Sequence, residues 1–149
     1  MSRNLEQWLA LYDESHRHPA NILIHRIAVP VIVTTLTAFL AALPSPLPMW
    51  ANWGVLAWLV TLPFYFRLSF HAGGWMTIVI LPIALLAGVI AAFHNQALLL
   101  GLCALLFALA WVAQFVGHRI EGKRPAFFTD LQFLLIGPLW CLRRYVRVD

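Results

Sequence analysis

The sequence has little charge and little cysteine. Only 11% of its 149 residues are charged and 62% are hydrophobic, whereas a soluble domain has about 25% charged residues. A water-soluble fold of this size could not bury so much apolar surface. There are two cysteines, and because Cys103 lies inside an apolar run they argue against a structural disulfide. The composition therefore points to the lipid bilayer as the surroundings of the chain.

Several familiar enzyme motifs are also missing. The chain has no Gly-rich phosphate loop, no Gly-x-Ser-x-Gly elbow, no Cys-x-x-Cys pair and no His-x-x-His-His box. The last absence argues against the di-iron chemistry of membrane fatty-acid hydroxylases. The net charge of +4 comes from basic residues beside apolar segments, so membrane orientation explains it better than a nucleic-acid partner does.

What the chain does have is four long apolar segments, each close to the roughly 20 residues that a membrane helix needs. These segments are residues 22–43, 50–66, 75–93 and 97–117. Proline-rich or polar stretches, at 44–49, 67–74 and 94–96, separate them. We predict an all-α, polytopic membrane protein with four transmembrane helices, in which residues 1–149 form a single integral membrane domain.

A shorter segment flanks the four spans at each end. Asn4 and Gln7 have the spacing of a capping box and predict the start of an N-terminal helix. Its apolar stripe predicts an interfacial amphipathic helix that turns this face to the membrane or to the protein. The stripe consists of Leu5, Trp8, Leu9, Tyr12 and His16. Residues 131–142 contain Gly137-Pro138 and predict a short interfacial or re-entrant helix.

All of the charge falls on one side of this four-span arrangement. The ten Lys and Arg residues and the six Asp and Glu residues lie on the side of the N-terminus, and loops 44–49 and 94–96 carry none. The positive-inside rule then places both termini and loop 67–74 in the cytoplasm. Spans rich in Ala and Leu, joined by short loops, are typical of bacteria, so we expect the inner membrane as the location.

Two of the six histidines lie at matching positions on two spans. His25 lies four residues after Asn21, near the start of the first span. His118 lies four residues after Gln114 and three before Glu121, at the end of the fourth span. Because residues three and four apart share a helix face, each span offers an amide and an imidazole at the same membrane depth.

His16 can reach that depth from the N-terminal helix, so three imidazoles from three elements could converge. Neutral imidazole is the commonest metal ligand, and nearby amides or carboxylates can orient such rings. The simpler alternative is that each histidine is structural, although ionisable groups at membrane depth are functional hypotheses by default. We expect structural or solvated roles for the remaining three, which are His18, His71 and His94.

Two stretches resemble a known family. Residues 12–25 read YDESHRHPANILIH and continue to Pro30, and residues 114–126 read QFVGHRIEGKRPA, with Asp130 following. Together they are similar to the 2-hydroxy fatty acid dioxygenase family, the fungal enzyme of fatty-acid α-oxidation and its bacterial relatives. The resemblance covers nearly the whole chain. One departure is Ala28, where relatives often have Gly.

The resemblance implies an iron(II)-dependent dioxygenase that splits a 2-hydroxy fatty acid with O2 into a fatty acid one carbon shorter, CO2 and water. It implies that His16, His25 and His118 are the catalytic, Fe(2+)-binding residues. The acyl tail would lie among the spans, and Lys123 or Arg124 could hold the carboxylate. The residues that we predict to orient the histidines or to bind substrate are Tyr12, Asn21, Gln114, Glu121, Lys123 and Arg124.

Two other functions remain open at this point. The same histidines could serve a zinc- or iron-dependent enzyme that acts on another membrane lipid. The chain could instead be a non-catalytic lipid-binding membrane protein, in which the histidines make hydrogen bonds and hold no metal. Glu121 or a water molecule could complete a metal site as a fourth ligand. No oligomeric state is predicted.

Overall fold

The structure, a computed structural model, describes residues 3–125 and 131–149. These two ranges contain six α-helices and one 3-10 turn, and no strand occurs in them. The predicted all-α class is therefore confirmed. The helices are α1 (Leu5–Glu14), α2 (Pro19–Ala42), α3 (Trp53–Leu68), α4 (Phe70–Phe93), α5 (Gln96–Glu121) and α6 (Phe133–Leu142), and the 3-10 turn is Met49–Ala51. Ala126 and Asp130, which belong to the second motif and to the one-sided charge, lie outside the described residues.

Side-chain caps explain where the helices begin. The Asn4 side chain accepts a hydrogen bond from the Gln7 N–H at 2.9 Å, and the Gln7 side chain accepts one from the Asn4 N–H at 3.0 Å. The predicted capping box is therefore present. His18 caps α2, which begins at Pro19, three residues before the predicted span, because proline suits the first helical position. Three further helices have side-chain caps at Asn52, Ser69 and Asn95.

Three of the helices, α2, α4 and α5, are long and apolar enough to cross a membrane, with 24, 24 and 26 residues. They correspond to the first, third and fourth predicted spans, although α2 ends one residue before the predicted end of the first span. Helix α3 corresponds to the second predicted span and has 16 residues. Its length is about 24 Å at 1.5 Å per residue, compared with a hydrocarbon core about 30 Å thick. Long apolar helices thus support a membrane protein, while the count of four crossings stays a prediction.

Helices α2 to α5 alternate in direction. Gln96 Nε2 donates to the Ala42 carbonyl at 2.6 Å and joins the start of α5 to the end of α2. Asn52 Nδ2 donates to the Ala84 carbonyl at 2.9 Å and joins the start of α3 to the second half of α4. The opposite helix ends therefore lie together and form what we call the charged end, which comprises residues 3–26, 65–72, 114–125 and 131–149. All ten Lys and Arg residues lie there.

Helices α1 and α6 pack against each other at the charged end. The ring of Trp8 meets the ring of Phe133 edge-on, with 5.0 Å between the centroids. Trp140 Nε1 donates to Asp13 Oδ1 at 2.7 Å, and the Arg143 guanidinium lies 2.5 Å from the same oxygen. The apolar stripe of α1 thus faces the protein. Whether α1 and α6 are interfacial stays a prediction.

Candidate metal centre

Three buried histidines from three separate elements meet at the charged end. His16 follows α1, His25 lies in the second turn of α2, and His118 lies in the last turn of α5. The ring centroids are 4.3 Å apart for His16 and His25, 4.6 Å for His25 and His118, and 5.0 Å for His16 and His118. One ring nitrogen of each lies within 4.8 Å of the other two. The structure thus brings together the three residues selected from the sequence.

Backbone carbonyls determine which nitrogen faces the centre in two of the rings. His16 Nδ1 lies 2.7 Å from the Tyr12 carbonyl, and His25 Nδ1 lies 3.0 Å from the Asn21 carbonyl. Because a carbonyl can only accept, each Nδ1 carries the hydrogen and each Nε2 keeps a free lone pair. Both Nε2 atoms and the Nδ1 of His118 are buried, and none has a hydrogen-bond partner in the described part of the chain.

Three converging nitrogens without partners fit a metal ion. A buried polar atom left unsatisfied costs about 1–3 kcal/mol, and the three histidines of this cluster each have one such atom. A cation bound between them would satisfy all three. Proteins usually orient a metal-binding imidazole by a hydrogen bond from its other ring N–H, and a backbone carbonyl is a common acceptor.

Burial keeps His16 neutral. Loss of contact with water lowers the pKa of His16 from 6.5 to about 3, and the hydrogen bond to the Tyr12 carbonyl opposes this shift only in part. An imidazole must be neutral to offer its lone pair to a metal. His16 is therefore ready to act as a ligand throughout the physiological pH range.

Tyr12 holds the His16 ring in place. The two rings are parallel within 1°, with 4.1 Å between their centroids. Trp140 packs beside both rings, with 5.3 Å between its centroid and that of Tyr12 and 5.2 Å between its centroid and that of His16. Tyr12 thus orients His16 through its ring as well as through its carbonyl. Contacts of this kind are what we predict for a residue that supports the histidines.

Glu121 holds the turn between α1 and α2. Its carboxylate accepts the backbone N–H of Arg17 at 3.1 Å from each oxygen, that of His18 at 2.7 Å, and Asn21 Nδ2 at 3.2 Å. Asn21 Nδ2 also donates to the Ser15 carbonyl at 3.0 Å. Among the described residues Glu121 makes no hydrogen bond to a histidine ring. The Glu121 carboxylate therefore supports the turn that carries His16. None of these contacts supports the prediction that Glu121 is a fourth metal ligand.

The other predicted site residues divide into two groups. Gln114 is buried one turn before His118 and lines a cavity that begins at the three histidines. Lys123 instead donates from Nζ to the Glu14 carbonyl at 2.6 Å, at the end of α1, and Arg124 is exposed. Neither basic residue lines the cavity. Their suggested role toward a substrate carboxylate therefore stays a prediction without a supporting contact.

A cavity of about 360 Å³ extends from the three histidines into the helix bundle. One face each of α2, α3 and α5 forms its walls, and α6 covers it at the charged end. Polar residues Tyr12 and Gln114 lie beside the histidines, whereas the deeper walls are mainly apolar. Such a cavity suits a ligand with a polar head and a long apolar part.

Comparison with known proteins identifies the family of the chain. The chain matches the family described as 2-hydroxy-palmitic acid dioxygenase Mpo1-like over residues 2–147. The chain belongs to the Mpo1-like family. The 2-hydroxy-palmitic acid dioxygenase MPO1 of Saccharomyces cerevisiae is 30% identical to this Mpo1-like chain over 156 residues, which cover 96% of this chain and 80% of the yeast protein. No solved structure matches the chain. The resemblance based on the two motifs is thereby confirmed.

Sequence reasoning missed Gly117, which lies beside His118 in this Mpo1-like chain. A Cβ on Gly117 would collide with Asn21 Oδ1 and would lie 3.4 Å from His25 Cε1. A glycine here lets α2 and α5 approach each other closely enough for their histidines to meet. Its position directly before His118 was the available signal, because glycine inside a helix usually has a packing reason.

Proposed function

We propose that this Mpo1-like protein is an iron(II)-dependent dioxygenase that cleaves 2-hydroxy fatty acids. The products are the fatty acid one carbon shorter, CO2 and water. The observation that carries the proposal is the cluster of His16, His25 and His118 at the head of an apolar cavity. The yeast relative, named for 2-hydroxy-palmitic acid, supports the choice of substrate. The reaction balances without a further reductant, because the substrate supplies all the electrons that reduce O2.

His16, His25 and His118 would hold the iron, and their buried, partnerless ring nitrogens support this assignment. Imidazole nitrogen is a suitable ligand type for iron, and three-ligand sites with open positions occur in non-haem iron oxygenases. When bound, iron(II) would supply open coordination positions and the redox chemistry that O2 requires. Three neutral ligands would also leave its positive charge free to balance a substrate carboxylate.

The chain's own residues would position the reactants. The Tyr12 and Asn21 carbonyls keep the ring N–H groups of His16 and His25 turned away from the centre. Gln114, beside His118, has an amide that can donate to the hydroxyl or carboxylate of a substrate. The apolar walls would exclude water and hold the acyl chain. No Lys or Arg is among the described residues that line the cavity, so the head group would depend on the centre itself for charge balance.

We further propose four membrane crossings for residues 1–149, with both termini and the charged end in the cytoplasm and with the bacterial inner membrane as the location. A Cβ on Gly88 would lie 2.7 Å from the Met49 carbonyl, so the 3-10 turn and α3 run beside α4 from Phe70 to Gly88. These nineteen residues of α4 are separated by eighteen helical rises, or about 27 Å, which is close to the thickness of the hydrocarbon core. This length supports α3 as the second crossing, with α1 and α6 at the cytoplasmic surface.

The decisive experiment measures metal and turnover together. The purified protein is expected to hold about one iron per chain, with an anomalous signal at the iron edge between the three rings, and to convert 2-hydroxypalmitic acid with uptake of O2. His16→Ala, His25→Ala and His118→Ala should lose both properties. His94→Ala, at an exposed position at the other end of the bundle, is the matched control and should keep both.

Other outcomes would separate the alternatives. A metal-free protein whose three histidine variants behave like the wild type would overturn the enzyme proposal in favour of a lipid-binding protein. A bound metal without conversion of 2-hydroxypalmitic acid would point to another membrane lipid as the substrate. Product analysis with a panel of lipids would then identify the reaction.

A further inference from the structure

We propose that the acyl chain of the substrate reaches the histidines sideways, from the interior of the bilayer, through an opening between α3 and α5. This inference rests on the proposed function, since it concerns how that substrate enters. Helices α3 and α5 both flank α2, yet they scarcely touch each other. Residues that face each other across the gap line the same cavity as the histidines. We call this opening the lateral cleft, and it is lined by Ala57, Thr61, Phe107, Trp111 and Leu36.

The lateral cleft opens toward the lipid-facing side of the bundle. Leu36 lines the cavity and is nevertheless 44% exposed. It lies eleven residues beyond His25 on α2, which corresponds to about 16 Å from the histidines. At that depth the surroundings of a spanning helix are lipid chains, because the hydrocarbon core is about 30 Å thick. An acyl chain can therefore enter here without passing through water.

At the charged end, unlike at the lateral cleft, hydrogen bonds hold neighbouring segments together over the histidines. Tyr65 donates from its hydroxyl to the Leu135 carbonyl at 3.0 Å and joins α3 to α6. The Ser69 hydroxyl donates to the Val148 carbonyl and joins the tail to the start of α4. Together with the Trp140–Asp13 bond, these contacts hold α6 over the histidines. These contacts cover the histidines from the charged end, and the apolar opening between α3 and α5 is the route that we propose for a long chain.

The depth of the cavity suits one extended acyl chain. On α2 its wall extends from His25 to Leu40, a distance of fifteen helical rises or about 22 Å. A membrane acyl chain extends through about one lipid leaflet. One leaflet is half of the hydrocarbon core of about 30 Å, so the chain reaches about 15 Å. A chain whose head group lies at the histidines would therefore fit within this length and end beside Leu36 and Ala57. The lateral cleft would select long, unbranched chains, and Ala57 would be a residue that determines chain length.

Ala57→Phe tests this proposal because it fills the lateral cleft beyond the head group. Ala92→Phe makes the same change on the exposed surface of α4, away from the cavity, and is the matched control. Ala57→Phe is expected to lower kcat/KM for 2-hydroxypalmitic acid about tenfold or more, while 2-hydroxyoctanoic acid stays within about twofold of the wild-type value. Ala57→Leu should give an intermediate effect and covers the case in which the larger side chain prevents folding.

A binding measurement without turnover completes the test. A 2-hydroxypalmitic acid that carries a diazirine near its methyl end is incorporated into vesicles with the protein and is cross-linked by light. Labels are expected near Leu36 and Ala57, and they should disappear in Ala57→Phe but remain in Ala92→Phe. Labels outside the cavity, or equal losses for both chain lengths, would overturn the lateral route. If labels map to the lateral cleft while the wild type converts neither acid, the route stands and the proposed reaction fails.

Discussion

The ring of Tyr12 lies flat on the ring of His16, with 4.1 Å between the centroids and 1° between the planes. The backbone carbonyl of the same Tyr12 lies 2.7 Å from His16 Nδ1. One residue of α1 thus fixes both the plane and the tautomer of the histidine four positions later. The last turn of α1 therefore supports the candidate metal centre and is not only a surface helix.

Tyr12→Ala is expected to remove the stacked ring and to lower the free energy of unfolding by about 3 kcal/mol, in line with other losses of a buried aromatic side chain. Tyr12→Phe keeps the stacked ring and the carbonyl. It should bind iron like the wild type, as measured by metal analysis after dialysis against a weak chelator. A loss of iron in Tyr12→Phe equal to that in Tyr12→Ala would show that the hydroxyl, and not the stack, is what the site requires.

Gly117→Ala is expected to push α2 and α5 apart at the histidines, because the new methyl group collides with Asn21 Oδ1. Overpacking of this kind costs about 1–3 kcal/mol, and the loss of iron should exceed the loss of folded protein. Gly101→Ala is the matched control on the same helix, because a Cβ there has no neighbour within 4 Å. It should leave iron binding unchanged and slightly raise the melting temperature, since alanine favours the helix. The prediction is wrong if the two variants behave alike.

Glu121→Gln tests whether the carboxylate positions the turn or binds the metal. Weaker hydrogen bonds to Arg17, His18 and Asn21 should lower the free energy of unfolding by about 2 kcal/mol and reduce the affinity for iron. At saturating iron, the electronic spectrum of the centre should match that of the wild type. A changed spectrum would identify Glu121 as a ligand after all. Glu6→Gln, at an exposed position on α1, is the control for the loss of one carboxylate.

The burial of His16 predicts a stability that depends on pH in the metal-free protein. Its pKa is 6.5 in an exposed state and about 3 in the folded state, so between these values the unfolded chain binds the extra proton. Stability is therefore lost as the pH falls below 6.5, by about 1.4 kcal/mol per pH unit for this one group. Unfolding in detergent at several pH values should show a slope that is smaller by about one proton in His16→Gln. Equal slopes would mean that His16 is not held neutral.

Much of the architecture follows from local sequence. The apolar segments predict the helices, and the spacing of Asn4 and Gln7 predicts a capping box that the structure contains. The placement of charge on one side predicts that the start of α2 and the end of α5 lie at the same membrane depth. His25 and His118 occupy these two positions, and their rings lie together in the structure. These features depend on periodicity and on counting helices, which a single sequence supplies.

Contacts between distant segments could not be predicted in the same way. Trp140 and Asp13 are 127 positions apart, and no periodic pattern indicates that they form a hydrogen bond. Lys123 and Arg124, which were predicted to hold the substrate carboxylate, illustrate the same limit. Their positive charge does not indicate which way their side chains point. Lys123 binds the end of α1, and Arg124 is exposed. The lateral cleft also escaped sequence reasoning, since it depends on α3 and α5 flanking the same helix while scarcely touching each other.

The order of the three histidines along the chain has a consequence for synthesis of the protein. His16 and His25 leave the ribosome early, whereas His118 follows more than ninety residues later, at the end of α5. A nascent chain thus offers only two of the three imidazoles until its last long helix has been made and has packed against α2. Because domains form as their chains are completed, a redox-active ion would find its full set of ligands only in a finished and inserted protein. Partly made chains would be protected from oxidative damage by the arrangement of the helices themselves.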